Sequence, residues 1–285
     1  MIHIIYHGYF SFAIHKVVQD LVMKGTDVMA KPHTDYVLVA EKEDVVARDI
    51  KGDPAPEAIL FFDKDVRLAR ALEKTWPLFN PAHGIALADD KIATFDALSG
   101  SLPMIETIPA PFHYQPQVPK DIFLAYVEAR FGYPMVIKAA KGSFGEQVHL
   151  AKNRDDAKHI AEKMGAEDFL FQPFIAESAG VDKRVLIVGD EIVGAIERRN
   201  EKDFRANIAA GSTARAIDLT DEEKALALHA HKKAGLAFSG IDLIDSNRGP
   251  LLVEINSNMS YLGFQEATGI DVSKKILDFV SEQIR

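Results

Sequence analysis

The sequence contains no cysteine. Disulfides, thiolate metal sites and a cysteine nucleophile are therefore excluded, and the composition fits a reducing compartment. Positive charge is also in short supply. There are 42 Asp and Glu against 33 Lys and Arg, which leaves a net charge of −9 at pH 7 and a pI near 5.6. Such a surface repels nucleic-acid phosphate, so no nucleic-acid partner is expected, and anionic small ligands need a local cationic pocket. No apolar run approaches the roughly 20 residues of a membrane helix, and the N-terminus MIHIIYHGYF has no basic segment ahead of a long apolar stretch. The expectation is a cytoplasmic protein without a membrane partner. Neither GxxxxGK[ST] nor GxGxxG occurs, which removes the P-loop and the dinucleotide fingerprint.

The chain has 285 residues, 47% hydrophobic and 26% charged. That is ordinary globular composition, with length for two or three structural units and a sizeable core. Strands expected at 2–6, 36–40 and 58–62 alternate with helices at 11–24, 66–74 and 89–98, which points to an α/β first unit over residues 1–88. Prolines at 103, 109, 111, 116 and 119 forbid one regular element there, since each removes a backbone donor. A second α+β unit over 89–176 is read from a helix at 122–131, strands at 134–138, 148–150 and 169–172, and a helix at 153–164. The third, over 177–285, has strands at 183–188 and 192–198 around the turn Gly189-Asp190. A helix runs to 234 from a Thr220/Glu223 capping box, a hairpin is formed by 241–244 and 251–255, and a last helix spans 271–283. Trp76 is expected to pack between the first two units.

The hairpin GIDLIDSNRGPLLVEIN carries the clearest chemistry. Asp242 and Glu254 lie in strands apolar enough to be buried on both faces. An ionised carboxylate there costs several kcal/mol unless it is paired or metal-bound. Glu254 and Asn256 are two apart and share a strand face, and a turn centred near Arg248 puts Asp242 roughly opposite Glu254. Three hard oxygen donors on neighbouring strands suit Mg²⁺. Spacing alone leaves two alternatives open, a hairpin with one solvated face and an internal carboxylate–Lys/Arg pair.

Lys138 ends the apolar run MVIK, and the loop KGSFG at 141–145 offers glycines and backbone donors able to cover phosphates. Taken alone, a lysine at a strand end before a glycine-containing turn is more often simply solvated. His3, His7, His15 and His33 match no zinc spacing and are read as satisfied or exposed. His229, His231, Lys232 and Lys233 are read as the solvated, dipole-complementing end of a helix.

These pieces occur in the order of the ATP-grasp superfamily, and the sequence resembles its RimK-like amino-acid ligases, the ribosomal-protein glutamate ligase type. The residues that carry the resemblance are PLFN (77–80), DKIATFDAL (90–98), PMVIKAAKGSFG (134–145), FQPFI (171–175), GVDKRVLIVGDEIVGAIERR (180–199), DFRANIAAG (203–211), GIDLIDSNRGPLLVEINSN (240–258) and ATGID (267–271). The first 75 residues resemble the family mainly in layout.

The resemblance implies an ATP-grasp fold, ATP and Mg²⁺ (Mn²⁺ as substitute) as cofactors, and a homo-oligomer. Lys91 and Lys138 would contact the ATP phosphates. Gln172, Phe174 and Ile175 would form the adenine hinge, with Asp182 by the ribose, and Gly142, Ser143, Phe144 and Gly145 would be a mobile cover. Arg198, Arg205 and Asn207 would serve the reacting groups, and Asp242, Glu254 and Asn256 would hold the metal. Arg184 and Asn258 would bind substrate. For a glutamate donor, Arg184, Arg198, Arg199, Arg205 and Arg215 are the candidate cations, because a guanidinium grips a carboxylate through two parallel bonds. The sequence departs from the family at Glu146-Gln147 and at SNMSYLGF after Asn256, a segment expected to line the acceptor site. The expected reaction joins a small-molecule or peptide carboxylate to an amino acid through an acyl-phosphate. A phosphotransferase acting on a small metabolite and an ATP-binding regulator without turnover are the alternatives.

Overall fold

The computed structural model describes residues 1–285 apart from 8–11, 26, 42–43, 113, 116–117, 143–144 and 207–210, and at 12 and 13 the backbone alone. The first part of the chain runs β1 (Ile2–Tyr6), α1 (Phe12–Lys24), β2 (Val28–Pro32), β3 (Tyr36–Glu41), β4 (Asp44–Asp49), β5 (Ala58–Phe62), α2 (Val66–Leu72) and β6 (Leu78–Phe79). Its sheet is parallel, in the order β2-β1-β5-β6. The strand AILFF of β5 is buried throughout, as a parallel strand covered on both faces requires. The segment at 36–40 does form a strand, but β3 pairs with β4 in a separate antiparallel ribbon. Trp76 packs on the core of Ile5, Tyr36, Ile59 and Phe61 within this first part, not between units as the sequence reading had it.

Two helices follow, α3 (Ala82–Ala88) and α4 (Lys91–Leu98). The described residues of the proline-rich stretch contribute β7 (Ile108–Pro109). Then come α5 (Asp121–Phe131), β8 (Met135–Ala139), β9 (Val148–Ala151), α6 (Arg154–Met164) and β10 (Phe169–Pro173). These strands make an antiparallel sheet, β7-β10-β8-β9. One face of it is covered by α5 and α6 through Leu124, Val127, Ala157 and Ala161.

The third sheet, β13-β12-β11-β14-β15, is antiparallel. It is built from β11 (Val181–Val188), β12 (Glu191–Arg199), β13 (Thr213–Ile217), β14 (Phe238–Ser246) and β15 (Gly249–Asn256), with α7 (Asp221–Ala234), α8 (Leu262–Thr268) and α9 (Val272–Gln283). The Thr220/Glu223 capping box opens α7. Strand alternation sends Val185 and Ile187 toward α7, and Leu186 and Val188 toward a core shared with Ile2, Ile4, Leu60 and Phe62 of the first sheet. The first and third sheets therefore share one apolar core.

Asn80, fully buried, joins these parts. Its amide nitrogen donates to the carbonyls of Phe238 (2.9 Å) and Ser257 (2.8 Å), and its oxygen accepts from the Ala237 and Phe238 N–H groups (2.7 and 3.0 Å). No other side chain of that size offers two donors and two acceptors in one plane. Asn80→Ala would strand several buried backbone groups, each costing ~1–3 kcal/mol. The expected loss is about 3 kcal/mol, read as a lower urea midpoint with an unchanged slope.

Candidate active site

The register of the third sheet assembles a row of charges. Across β11, Asp182 stands opposite Arg198 of β12, and Arg184 opposite Asp242 of β14, while across the hairpin Asp242 stands opposite Glu254 of β15. Arg184 grips Asp242 with two bonds, Nε–Oδ1 at 2.8 Å and Nη2–Oδ2 at 2.7 Å. Arg198 grips Asp182 in the same way at 2.6 and 2.5 Å, and its Nη2 lies 3.2 Å from Asp242 Oδ2. Asn256 Nδ2 donates to Asp242 Oδ2 at 3.3 Å, and Lys91 Nζ lies 3.1 Å from Glu254 Oε1. The internal carboxylate–Arg pair that the hairpin spacing left open is thus present.

Burial opposes the charges of Asp242, Asp182 and Lys138, and their neighbours decide which way each of these three titrates. Burial alone would raise the Asp242 carboxyl, but Arg184 and Arg198 overcome it and hold it at about 2. Asp182 has one guanidinium and the charge of Asp242 beside it, so burial pushes it up to about 6. Lys138 is pushed down to about 8, first by burial and then by the charge of Lys91, with Glu254 and Asp242 pulling the other way.

Apart from Arg199 and Arg215, the predicted site residues among the described ones line a single cavity of about 410 Å³. Lys91, Lys138, Arg184, Arg198, Asp242, Glu254 and Asn256 line it together, with Asp182. Gln172, Phe174 and Ile175 lie at the end of β10. Gln172 donates to Thr107 Oγ1 at 2.8 Å, and Phe174 meets Phe204 edge-on at 6.1 Å. Both Asp182 oxygens accept from Arg198, and the carboxylate lines the cavity with acceptor capacity left over. Gly142 (φ +146°) and Gly145 (φ +74°) adopt backbone angles that other residues rarely take. Arg205 holds Asp203 and donates to the Gly145 carbonyl at 2.7 Å, which ties the loop at Gly145 to the third sheet's side of the cleft. Ser143, Phe144 and Asn207 lie outside the described residues.

Several expectations need correction. Arg199 and Arg215 do not reach the cavity: both pair with Glu197, because 197 and 199 share the strand face opposite to Arg198. In the segment after Asn256, Asn258 and Ser260 line the cavity, while Met259 and Tyr261 are buried in the shared core. His231 is buried on the inner face of α7, with its Nδ1 2.8 Å from Ser239 Oγ, so it is not part of a solvated helix end. His7 and His33 converge with Asp63 at the carboxyl ends of the first sheet.

The sequence reading also missed Asp89 and Lys64. Asp89 Oδ1 accepts from Ser257 Oγ (3.2 Å) and faces Lys64 Nζ (3.0 Å), whereas its Oδ2 is buried without a partner, as is Asn258 Oδ1. Burial raises the Asp89 carboxyl, against Lys64. Its signal was hidden because 89 reads as the first residue of a helix, although Asp90 is the residue that caps α4.

A family model described as the RimK-like ATP-grasp domain matches residues 100–280. The chain belongs to the RimK-like ATP-grasp family. Its enzyme class is that of the ATP-dependent C–N ligases. A probable alpha-L-glutamate ligase of Trichodesmium erythraeum is 36% identical over 208 residues, which is 72% of this chain and 68% of that protein. Other relatives of that name, such as one from Klebsiella pneumoniae, match over about half their length. Among solved structures, D-alanine–D-alanine ligase from Bacillus anthracis complexed with ATP gives a TM-score of 0.76 at 16% identity, over 99% of this chain and 96% of that one. The ATP-grasp ligase PsnB complexed with a minimal precursor gives 0.73 at 17%, over 100% and 99%. At such identities the two share the fold of this RimK-like chain. Among the described residues no helix is long and apolar enough to cross a membrane.

Proposed function

We propose that this RimK-like protein is an ATP- and Mg²⁺-dependent ligase that joins a carboxylate to the amino group of an amino acid, glutamate first, with release of ADP and phosphate. The observation that carries the reading is the Asp242–Glu254 pairing with Asn256 beside it, in a cavity that also holds Lys91, Lys138, Arg184 and Arg198. A carboxylate is inert to amines until its oxygen is made a leaving group. Attack of that oxygen on the γ-phosphorus forms an acyl-phosphate and breaks the bond to ADP. The amine then adds to the acyl carbon, the C–N bond forms, and phosphate leaves. Positioning and charge neutralisation are the main requirements.

Mg²⁺ held by Asp242, Glu254 and Asn256 would neutralise phosphate oxygens, and two carboxylates with an amide oxygen are a donor set that fits it. Lys138 and Lys91 supply cationic donors to the phosphates. Arg184 and Arg198 neutralise the buried acids in the resting state and stand ready to receive a carboxylate or the acyl-phosphate. Asp89 and Asn258, with buried acceptors left open, suit the incoming amino group. The 142–145 loop would exclude water.

The reading is tested by incubating the protein with ATP, Mg²⁺, an amino-acid panel and candidate carboxylates, while phosphate release and product mass are followed. ADP and phosphate are expected in equal amounts, with glutamate the strongest stimulator. Stoichiometric AMP would rule the mechanism out. Stimulation by neutral or basic amino acids alone would remove the glutamate assignment.

A further inference from the structure

We propose that His7, His33 and Asp63 bind a divalent transition-metal ion of the zinc class, at a site separate from the Asp242–Glu254 hairpin. The register carries the argument. Tyr6 of β1 pairs with Pro32 of β2 on one side and with Phe62 of β5 on the other. The residues that follow these strand ends are His7, His33 and Asp63, so three ligand-type side chains stand at one level on the carboxyl edge of a parallel sheet. That edge is where open α/β sheets place their ligands.

The donor atoms of the three lie within 4.8 Å of one another, and the two imidazole centroids are 4.2 Å apart. His33 Nδ1 is 2.9 Å from Asp63 Oδ2. Bonds of about 2.0–2.1 Å to one tetrahedral ion put neighbouring donor atoms roughly 3.3–3.4 Å apart, so this spacing has to open by only about 0.4–0.5 Å for shared coordination. Among the described residues neither atom has a hydrogen-bond partner of good geometry, although both are buried. Asp63 is only 2% exposed. Its Oδ1 is used, accepting from the Lys64 N–H (2.6 Å) and the Asp65 N–H (2.8 Å), which fixes the carboxylate and leaves Oδ2 aimed at His33. A supporting partner of this kind is what orients metal-binding carboxylates. Two imidazole nitrogens with one carboxylate favour zinc and its transition-metal neighbours over Mg²⁺, and three protein ligands leave positions open to water or a ligand. The site borders the main cavity: the Phe62 carbonyl accepts from Asn258, and Lys64 lines that cavity.

The test uses the full chain, freed of any affinity tag and stripped with a chelator. Zinc is titrated by calorimetry in excess Mg²⁺, and Co²⁺ is substituted to read its visible absorption. The wild type is expected to bind zinc and to give a Co²⁺ spectrum of an imidazole-containing site. Loss of a ligand should weaken binding at least as much as the roughly 10–100-fold seen for outer-shell changes, so His33→Gln and Asp63→Asn should each do so while Glu254→Gln does not. Circular dichroism checks folding. Asp63 also holds its own turn, so His33→Gln decides the matter if Asp63→Asn fails to fold. No zinc uptake by the wild type, unchanged affinity in His33→Gln, or loss of zinc in Glu254→Gln would each overturn the proposal and leave His33 and Asp63 as an ion pair.

Discussion

Glu254→Gln should lower turnover by roughly 10²–10³ while leaving thermal stability close to that of the wild type, and Asp242→Asn should damage both. The first effect follows from removing an anionic ligand from the proposed metal site, comparable to deleting a preorganised charge-stabilising group. The difference in stability follows from what each carboxylate holds in the resting protein. Glu254 is 27% exposed and faces Lys91, and such a part-exposed pair is worth ~0–1 kcal/mol once solvent screening is counted. Asp242 is 5% exposed and neutralises Arg184 and Arg198 together. Its amide would leave Arg184 without its counter-charge and Arg198 with Asp182 alone, at a cost of ~3–5 kcal/mol. The sign of the pH dependence follows from the depressed Asp242 carboxyl. Its contribution is fully present above the unfolded carboxylate range and is lost as pH falls toward 2, so Asp242→Asn should flatten that part of the acid-stability curve. Turnover by ADP release and melting temperature, measured on both variants, decide it. A Glu254→Gln enzyme with near-normal turnover would show that the metal site lies elsewhere.

That divergence was not legible in the sequence, although the hairpin was. GIDLIDSNRGPLLVEIN carries its own register, because a short turn at Asn247-Arg248 fixes which residues face each other, and the structure does pair Asp242 with Glu254. The partners from β11 and β12 are different. Arg184 meets Asp242 only because β11 inserts next to β14, and no local pattern announces that sheet order. The same reason hides the His7–His33–Asp63 cluster, whose members are adjacent across strands and distant along the chain.

Elements were legible where burial and period agreed: AILFF of β5, the capped helix α7 and the turn Gly189-Asp190. They were missed where a local rule was broken for a tertiary reason. β2 carries Lys31, buried among Asp49 and Asp53, which interrupts its apolar run. β13 is an edge strand, largely exposed. α3 contains Gly84, which argues against a helix on propensity. A Cβ there would lie 2.7 Å from Leu236 Cδ2 and 2.9 Å from the Ala234 carbonyl, so the glycine is needed for α3 to pass the end of α7.

Lys138→Met should reduce kcat/KM by roughly 10³ and remove a pH dependence that the wild type shows in nucleotide binding. Lys138 is buried, and its ammonium is held at about 8 by burial and by Lys91. A triphosphate needs that ammonium charged, and its own negative charge would restore the proton. Nucleotide affinity should therefore be flat below pH 8 and weaken above it, by up to about tenfold per pH unit, with proton uptake on binding in that window. The ligand-free protein should behave oppositely. An unfolded lysine keeps its proton up to about pH 10.4, so between 8 and that value the unfolded chain holds more protons than the folded one. Stability of the free protein then gains from Lys138 as pH rises, while the extra stabilisation by nucleotide shrinks. Calorimetry in buffers of different ionisation enthalpy reads the proton uptake, and thermal melts with and without nucleotide read the two trends. Affinity that stays constant from pH 8 to 10, or the same slope in Lys138→Met, would assign the titration to another group and take Lys138 away from the phosphates.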